Sequence, residues 1–436
     1  MNYSLIPDFI AISGLVLVFG SLLRHSRQTR LRSWLIGWIL ILVHIVAQIV
    51  NSALPPGKAA DAALAVSLAM LLLTAITFIW AGNDRQTARV KDLYLMLLAS
   101  VPEVVLFGCL VYDVHSTGTY LALTALGVMT TLWVFRGKQQ GAQGFQRLAR
   151  VLGVAVVYSV QAILVLRESF DLILVWILFS YYVGVAFFFW HRAPRFTVGV
   201  VFTTISFVAW AAVFPMAYLL QSYLPSVHLD NEVWNLPKFL VATGMIFTLL
   251  EEKMGQAEYA SLHDSLTDLP NRRMFVRELE AALTEARGSA RRVALLILDL
   301  DGFKEINDRY GHAVGDALLQ SVAQRLQSHM REGDVLARMG GDEFAAILTS
   351  MSHRAAVERI AHKLATALES EVECQGFRLS ISVSVGLALS PEDGDDELQL
   401  YANADRSMYE HKLVNRTRST AGGLLSGQPH EAVSLQ

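Results

Sequence analysis

Cysteine is almost absent from this chain. Its 436 residues include two, Cys109 and Cys374, too few and too far apart for a disulfide framework or a cysteine-based metal site. Charge is scarce too: Asp, Glu, Lys and Arg make up 17% of the residues, against roughly 25% in ordinary soluble domains. The formal net charge of −3 offers no field for a polyanion, so no nucleic-acid partner is expected. The shortage of charge is uneven. Residues 1–250 consist mainly of long apolar runs, whereas 251–436 have the mixture of an ordinary globular chain. The length suits two or more domains.

A helix needs about 20 mostly apolar residues to cross a bilayer. Nine segments come near that length, roughly 5–23, 34–54, 62–81, 93–112, 117–135, 151–166, 172–190, 196–220 and 236–250. No Lys or Arg precedes the first, which argues against a signal peptide. The loops after the first, third, fifth and seventh segments carry thirteen Lys and Arg, beginning with Arg24, Arg27, Arg30 and Arg32; the other four carry only Lys58 and Arg167. Positive charge stays on the cytoplasmic side, so the expected N-terminus is outside and the C-terminal region is cytoplasmic. Trp34, Trp80, Trp133 and Trp190 all fall at expected cytoplasmic ends, as in an aromatic belt.

Three of the polar residues within these runs stand out. Glu103, after Pro102, is near the middle of the fourth segment, where an ionisable group is costly. It is either hydrogen-bonded on an interhelical face or part of a sensing or ligand site. His44 reads as structural, and Lys238 as able to snorkel to the interface. Residues 251–263 read as a signalling helix: a short coiled coil between two chains or a plain amphipathic linker.

From residue 264 the pattern alternates strand and helix. VALLILDL (293–300) has the length and composition of a strand, and 314–330 show helical apolar spacing. VLARM and FAAIL flank Gly340 and Gly341, and a two-residue Gly-Gly connection predicts a hairpin. Helices are expected over 353–369 and 396–414, with a strand at 380–389 between them. Asp299 and Asp301 end the first strand, and Asp342 and Glu343 follow the glycines. If those strands are neighbours, the carboxylates of Asp299 and Asp342 converge and repel. A hard divalent cation would relieve that, and Mg²⁺ is usually held by one or two carboxylates plus substrate phosphates. The alternative is a pair of solvated acids at a turn.

Several spaced stretches then come in one order: HDSLTDLPNRR (263–273), LDLDGFKEINDRYGHAVGDALL (298–319), GGDEF (340–344) and ADRSMYEHKLVNR (404–416). Together they resemble the GGDEF family of diguanylate cyclases over residues 260–417. The apolar runs give an α-helical transmembrane bundle, and the resemblance implies that it is followed by an α+β domain whose sheet is palm-like, as in nucleotide cyclases and polymerases. The implied boundaries are 1–250 for the membrane domain, 264–417 for the GGDEF domain and 418–436 for a disordered tail. The implied reaction joins two GTP into cyclic di-GMP and releases two pyrophosphates, across a homodimer in the bacterial inner membrane. The implied cofactor is Mg²⁺, with Mn²⁺ as an alternative, held by Asp299, Asp342 and the carbonyl of Leu300. Asp342 or Glu343 would assist deprotonation of the 3′-hydroxyl. Asn307 and Asp316 would bind guanine. Phe303, Lys304 and His312 would frame the nucleotide, which the backbone of Gly340 and Gly341 would approach, and Lys412 and Arg416 would grip the phosphates. Arg331 and Asp334 match the family's RxxD site for inhibitory product, cyclic di-GMP. Where a further arginine is common, this chain has His362 and Lys363; His411, Asn415 and Thr417 also depart from the usual pattern. Two rival readings are a non-catalytic cyclic di-GMP receptor and a transporter with a regulatory nucleotide domain. The second would need paired broken spans or several buried charges.

Overall fold

Long apolar runs form helices because each backbone N–H and C=O is then satisfied within its own segment. The computed structural model describes residues 5–24, 29–81, 90–137, 144–193, 196–227, 231–287 and 291–422. Residue contacts divide the chain into two units, Met1–Glu252 and Lys253–Gln436.

Among its described residues, the regular elements of the first unit are all helices. Its elements are α1 (Ile6–Arg24), α2 (Thr29–Ala53), α3 (Lys58–Ala81), α4 (Val90–Ala99), α5 (Val101–Val111), α6 (Thr117–Gly137), α7 (Gly144–Leu166), α8 (Phe170–His191) and α9 (Val198–Tyr223). The tenth helix, α10 (Asn231–Leu262), begins here and continues into the second unit. Among the described residues, eight helical stretches are long and apolar enough to cross a membrane; the shorter apolar stretch Val151–Leu166 lies within α7. The expected fourth span is broken into α4 and α5, because Pro102 follows the break and has no N–H to continue the ladder. Leu17, Met129, Val198 and Ile205 expose most of their surfaces, an arrangement suited to lipid rather than water. Of the thirteen basic residues in the expected cytoplasmic loops, Arg27, Arg85, Arg89, Lys138 and Arg195 lie outside the described residues.

Two expectations for this unit need correction. Trp133 and Trp190 are exposed as a belt requires, but Trp34 and Trp80 are buried. Trp34 stacks with Phe189, meets Phe19 edge-on and lies 4.8 Å from the guanidinium of Arg30. Lys238 does not snorkel. It is buried and donates to Asn235, which in turn donates to the buried carboxylate of Asp8 on α1. His44 is buried with Nδ1 2.8 Å from Ser67 Oγ, joining α2 to α3 as a structural group would.

The second unit has one four-stranded antiparallel sheet in the order β2-β3-β1-β6, from β1 (Arg292–Asp301), β2 (Val335–Gly340), β3 (Glu343–Met351) and β6 (Ser382–Ser390). A separate small hairpin, β4 (Val372–Cys374) and β5 (Phe377–Leu379), was not evident from sequence pattern. The helices are α11 (Arg272–Ala286), α12 (Phe303–Tyr310), α13 (His312–Gln327), α14 (Arg354–Glu369) and α15 (Glu397–Gly422). Strand alternation sorts the two faces. Leu296, Leu298 and Leu300 of β1 pack with Leu318, Val322, Val357 and Leu364, from α13 and α14. Val293, Leu295 and Ile297 pack with Phe275 and Leu279 of α11 and with Leu400 and Ala404 of α15.

The two-residue connection between β2 and β3 is Gly341–Asp342, not Gly-Gly, since Gly340 still pairs with Glu343 beyond a bulge. Helix α15 also runs past 414 to Gly422, into the segment expected to be a tail; no Gly or Pro interrupts it earlier. Residues 423–436 of that expected tail lie outside the described residues.

Gly386 of β6 lets α15 approach the sheet: a Cβ there would strike the Ala404 carbonyl and the Met408 backbone N. Gly386→Ala should therefore cost about 2 kcal/mol through overpacking, read as a lower thermal midpoint for the second unit in the full-length protein.

Candidate active site

Parity along β1 determines where its acids point. After Val293, Leu295 and Ile297, the next side chain on that face is Asp299. In the antiparallel register Asp299 is opposite Glu343 of β3 and Ser384 of β6. Ala345 and Ile347 share the face of Glu343 and belong to the same core, so Asp299 and Glu343 emerge on one side of the sheet where its apolar core ends. Asp342 closes the group from the hairpin turn, its carbonyl accepting from Leu300 N at 3.3 Å.

Lys412 of α15 donates to Asp299 Oδ1 at 2.6 Å. Asp299 itself is nearly buried. The carboxyl of Glu343 is pushed above its ordinary range by burial first, then by Asp299, Asp342 and Asp405, with Arg272 acting the other way. Thus α15 contributes an acid as well as a base to this corner. Asp405 was missed from sequence, although it lies seven residues, two helical turns, before Lys412 and so shares its side of the helix. Tyr401, one turn earlier, is also raised, by burial and then by Glu343.

The fit of a divalent cation follows from these donors. Among the described residues, no three His, Cys, Asp or Glu side chains are gathered into a ready metal cage. Two carboxylates and a backbone carbonyl suit Mg²⁺, which keeps waters and takes phosphate oxygens for the rest of its shell.

Other expected residues are placed as follows. Gly340 and Gly341 have φ of 143° and 54°, and nothing lies within 4 Å of a Cβ built on either. Their positive φ favours glycine, and the space above them is open. Gly302, with φ 76°, turns the chain from β1 into α12. Asn307 of α12 lies against Gly315 of α13, where a Cβ would strike its side-chain oxygen. The backbone next to Asp316 therefore comes close to Asn307. Lys304, His312 and Asp316 are exposed, whereas Phe303 is buried in the core and its ring approaches Gly315. The side chain of Arg416 lies outside the described residues.

Arg331 and Asp334 adjoin at the start of β2, with Nε 3.5 Å from Oδ2. The Asp334 carboxyl is buried and accepts from Arg331 N and Thr349 N, so it also fixes the turn that presents Arg331. Arg331 is the exposed member.

Arg338 was missed as well. Its guanidinium donates to the Gly341 carbonyl at 3.0 and 2.8 Å and to Asp264 Oδ1 at 2.9 Å. Asp264 also accepts from Thr267 N and Oγ1. Burial opposes ionisation of Asp264, but these hydrogen bonds outweigh it and hold the carboxyl below its ordinary range. One arginine thus ties the hairpin turn to the D-x-L-T stretch before α11. The signal was available, since Asp264 lies within HDSLTDLPNRR and Arg338 just before GGDEF, but their distance in sequence hid the pairing.

A family model described as "Diguanylate cyclase, GGDEF domain" matches residues 261–418. Residues 261–418 belong to the GGDEF family. Diguanylate cyclase TpbB of Pseudomonas aeruginosa is 40% identical over 168 residues, 38% of this chain and 39% of that protein. The bifunctional diguanylate cyclase/cyclic di-GMP phosphodiesterase MucR of the same organism is 40% identical over 174 residues, 40% of this chain and 25% of that one. The chain therefore spans about two fifths or less of these curated relatives. Among solved structures, the GGDEF domain of TpbB is 42% identical, with a TM-score of 0.34, covering 34% of this chain and 88% of that one. The coiled coil and GGDEF domain of DgcB from Caulobacter crescentus, in complex with c-di-GMP, is 27% identical, with a TM-score of 0.38, covering 41% and 94%.

In the GGDEF domain the raised carboxyl of Glu343 has a definite sign for stability. A carboxyl that is easier to protonate when folded stabilises the fold at low pH, and that contribution is lost as pH rises through its folded value. Glu343→Gln should therefore unfold at a higher temperature than the parent at neutral pH without divalent cations. The gap should close on acidification, as followed by melts of the full-length protein across pH. Added Mg²⁺ should stabilise the parent more than the variant.

Proposed function

We propose that the chain is a membrane-bound diguanylate cyclase that condenses two GTP into cyclic di-GMP and releases two pyrophosphates. The observation that carries this reading is the register of Asp299 with Glu343, beside Asp342, on a sheet face that α15 supplies with Lys412. Acids in that number at one strand end are costly unless positive charge joins them. Mg²⁺, bound by Asp299, Asp342 and the Leu300 carbonyl, would neutralise phosphate oxygens and favour attack at the α-phosphate.

The remaining roles belong to the chain itself. Asp342 or Glu343 takes the proton of the attacking 3′-hydroxyl; burial and the neighbouring acids raise the Glu343 carboxyl, which makes it a stronger base. Asn307, held beside Gly315, and Asp316 read the guanine edge. Lys304 and His312 flank the nucleotide, and Phe303 anchors α12, which carries Lys304, from the core. The open backbone at Gly340 and Gly341 lets a nucleotide come close. Lys412, with Arg416 four residues on, binds the departing pyrophosphate and lowers the cost of its charge. Each site holds one GTP, so joining two requires a homodimer.

The apolar first unit sits in the bacterial inner membrane with the GGDEF domain in the cytoplasm, and regulates output through α10. Product binding at Arg331 and Asp334 restrains synthesis, with the planar fork of Arg331 suited to phosphate and guanine.

Purified full-length protein, stripped of bound product and given GTP with Mg²⁺, should yield cyclic di-GMP. Asp299→Ala should lower the rate at least about 100-fold. Failure of the parent to produce any cyclic dinucleotide would favour a receptor for the product instead. Arg331→Ala should raise the half-inhibiting product concentration by about tenfold or more; inhibition as tight as in the parent would remove the feedback role.

A further inference from the structure

Glu103 lies in the first turn of α5, just after the break from α4, and is almost wholly buried. Tyr158 of α7 donates to its Oε1 at 2.6 Å. The Tyr158 hydroxyl is itself 3.0 Å from Thr131 Oγ1 of α6, and Tyr181 of α8 faces the same group. On the remaining side α6 presents Gly127, where a Cβ would come within 2.7 Å of Oε1 and 2.9 Å of the Tyr158 ring. Four helices are thus shaped around one carboxyl group.

Its second oxygen is different. Oε2 is buried and has no hydrogen-bond partner. Two other buried side-chain polar atoms among the described residues share that condition, but they are the neutral indole nitrogens of Trp38 and Trp80. The titratable groups facing Glu103 from the surrounding helices are Tyr158 and Tyr181, and neither supplies positive charge. No described Lys, Arg or His pairs with it. A carboxylate at mid-span with one oxygen bare is unstable as an anion. The polar groups gathered at Oε1, the Tyr158 hydroxyl and behind it Thr131 Oγ1, are oxygens, the ligand chemistry of hard cations.

We propose that Glu103 Oε2 is a binding site for one small monovalent cation, either a proton or an alkali-metal ion such as sodium. Uptake adds one positive charge at Oε2 and breaks no covalent bond. It also turns the Tyr158–Oε1 contact from a charge-assisted hydrogen bond into an ordinary and weaker one, loosening the tie between α5 and α7. The site requires no cyclase turnover, so it is testable without enzyme activity.

The full-length protein in lipid nanodiscs is studied by infrared difference spectroscopy, stepping from acid to alkaline pH in choline chloride and then exchanging choline for sodium. A proton site gives a carboxylic C=O band that disappears on alkalinisation, is absent from Glu103→Gln and shifts without vanishing in Tyr158→Phe. A sodium site gives a change in the carboxylate bands on exchange, again absent from Glu103→Gln and altered in Tyr158→Phe. Difference spectra that are the same for the parent and Glu103→Gln, under both pH and salt steps, overturn the proposal and leave Glu103 a hydrogen-bonded structural acid. Tyr158→Phe keeps the carboxyl, so it still reports on the site if Glu103→Gln fails to fold.

Discussion

Repulsion among like charges at the end of one strand organises the second unit. Asp299 and Glu343 are opposite each other in an antiparallel register and share a face because side chains alternate along both strands. With Asp342 and Asp405 they make a corner that cannot remain uncompensated at neutral pH. Lys412 answers it with a 2.6 Å contact to Asp299. Much of the nearby architecture maintains that corner. Gly386 lets α15 lie close enough to deliver Lys412, and Arg338 holds the hairpin turn by its Gly341 carbonyl. Carboxylates are the donors that hard divalent cations take.

The first unit solves the opposite problem, keeping a few polar groups tolerable among many apolar ones. Asp8, Asn235 and Lys238 satisfy one another between α1 and α10. At the other end of the same stretch of α10, Glu251 accepts from the Gly199 N–H at 3.0 Å and Glu252 pairs with Arg30 at 2.5 Å. The last helix of the apolar unit is therefore held by polar contacts at both ends and by packing between them. Glu103 is the exception, a buried acid satisfied at one oxygen only. Asp8 and the burial of Lys238 were not foreseen from the apolar pattern, and with Glu103 they make several buried charges. Their presence meets one condition set for a transporter, but the mutual satisfaction of Asp8, Asn235 and Lys238 gives those groups a structural role.

Local signals carried much of the second unit's fold. The apolar run before Asp299, the glycines before Asp342 and the helical spacing after His312 each set an element through short-range preference, and those elements formed where expected. Errors arose where neighbours decided. The tight turn slipped by one residue because a bulge at Arg338–Gly340 lets Gly340 keep its strand pairing. Trp34 and Trp80 left the expected belt because helix packing offered them a core. Lys238 stayed buried because Asn235, one turn away on the same helix, brought Asp8 of α1 within its reach.

By itself, the sequence determined the apolar and globular halves, the order of strands and helices around GGDEF, and the family to which residues 261–418 belong. Those properties rest on composition, periodicity and contiguous motifs, all readable along one dimension. Only the tertiary structure decided that Asp405 joins the acids, that Arg338 reaches Asp264 across 74 positions, and that Oε2 of Glu103 is left without a partner. Each depends on which side chains meet through space, and periodicity orients a residue on its own element without saying what the neighbouring element will bring to it.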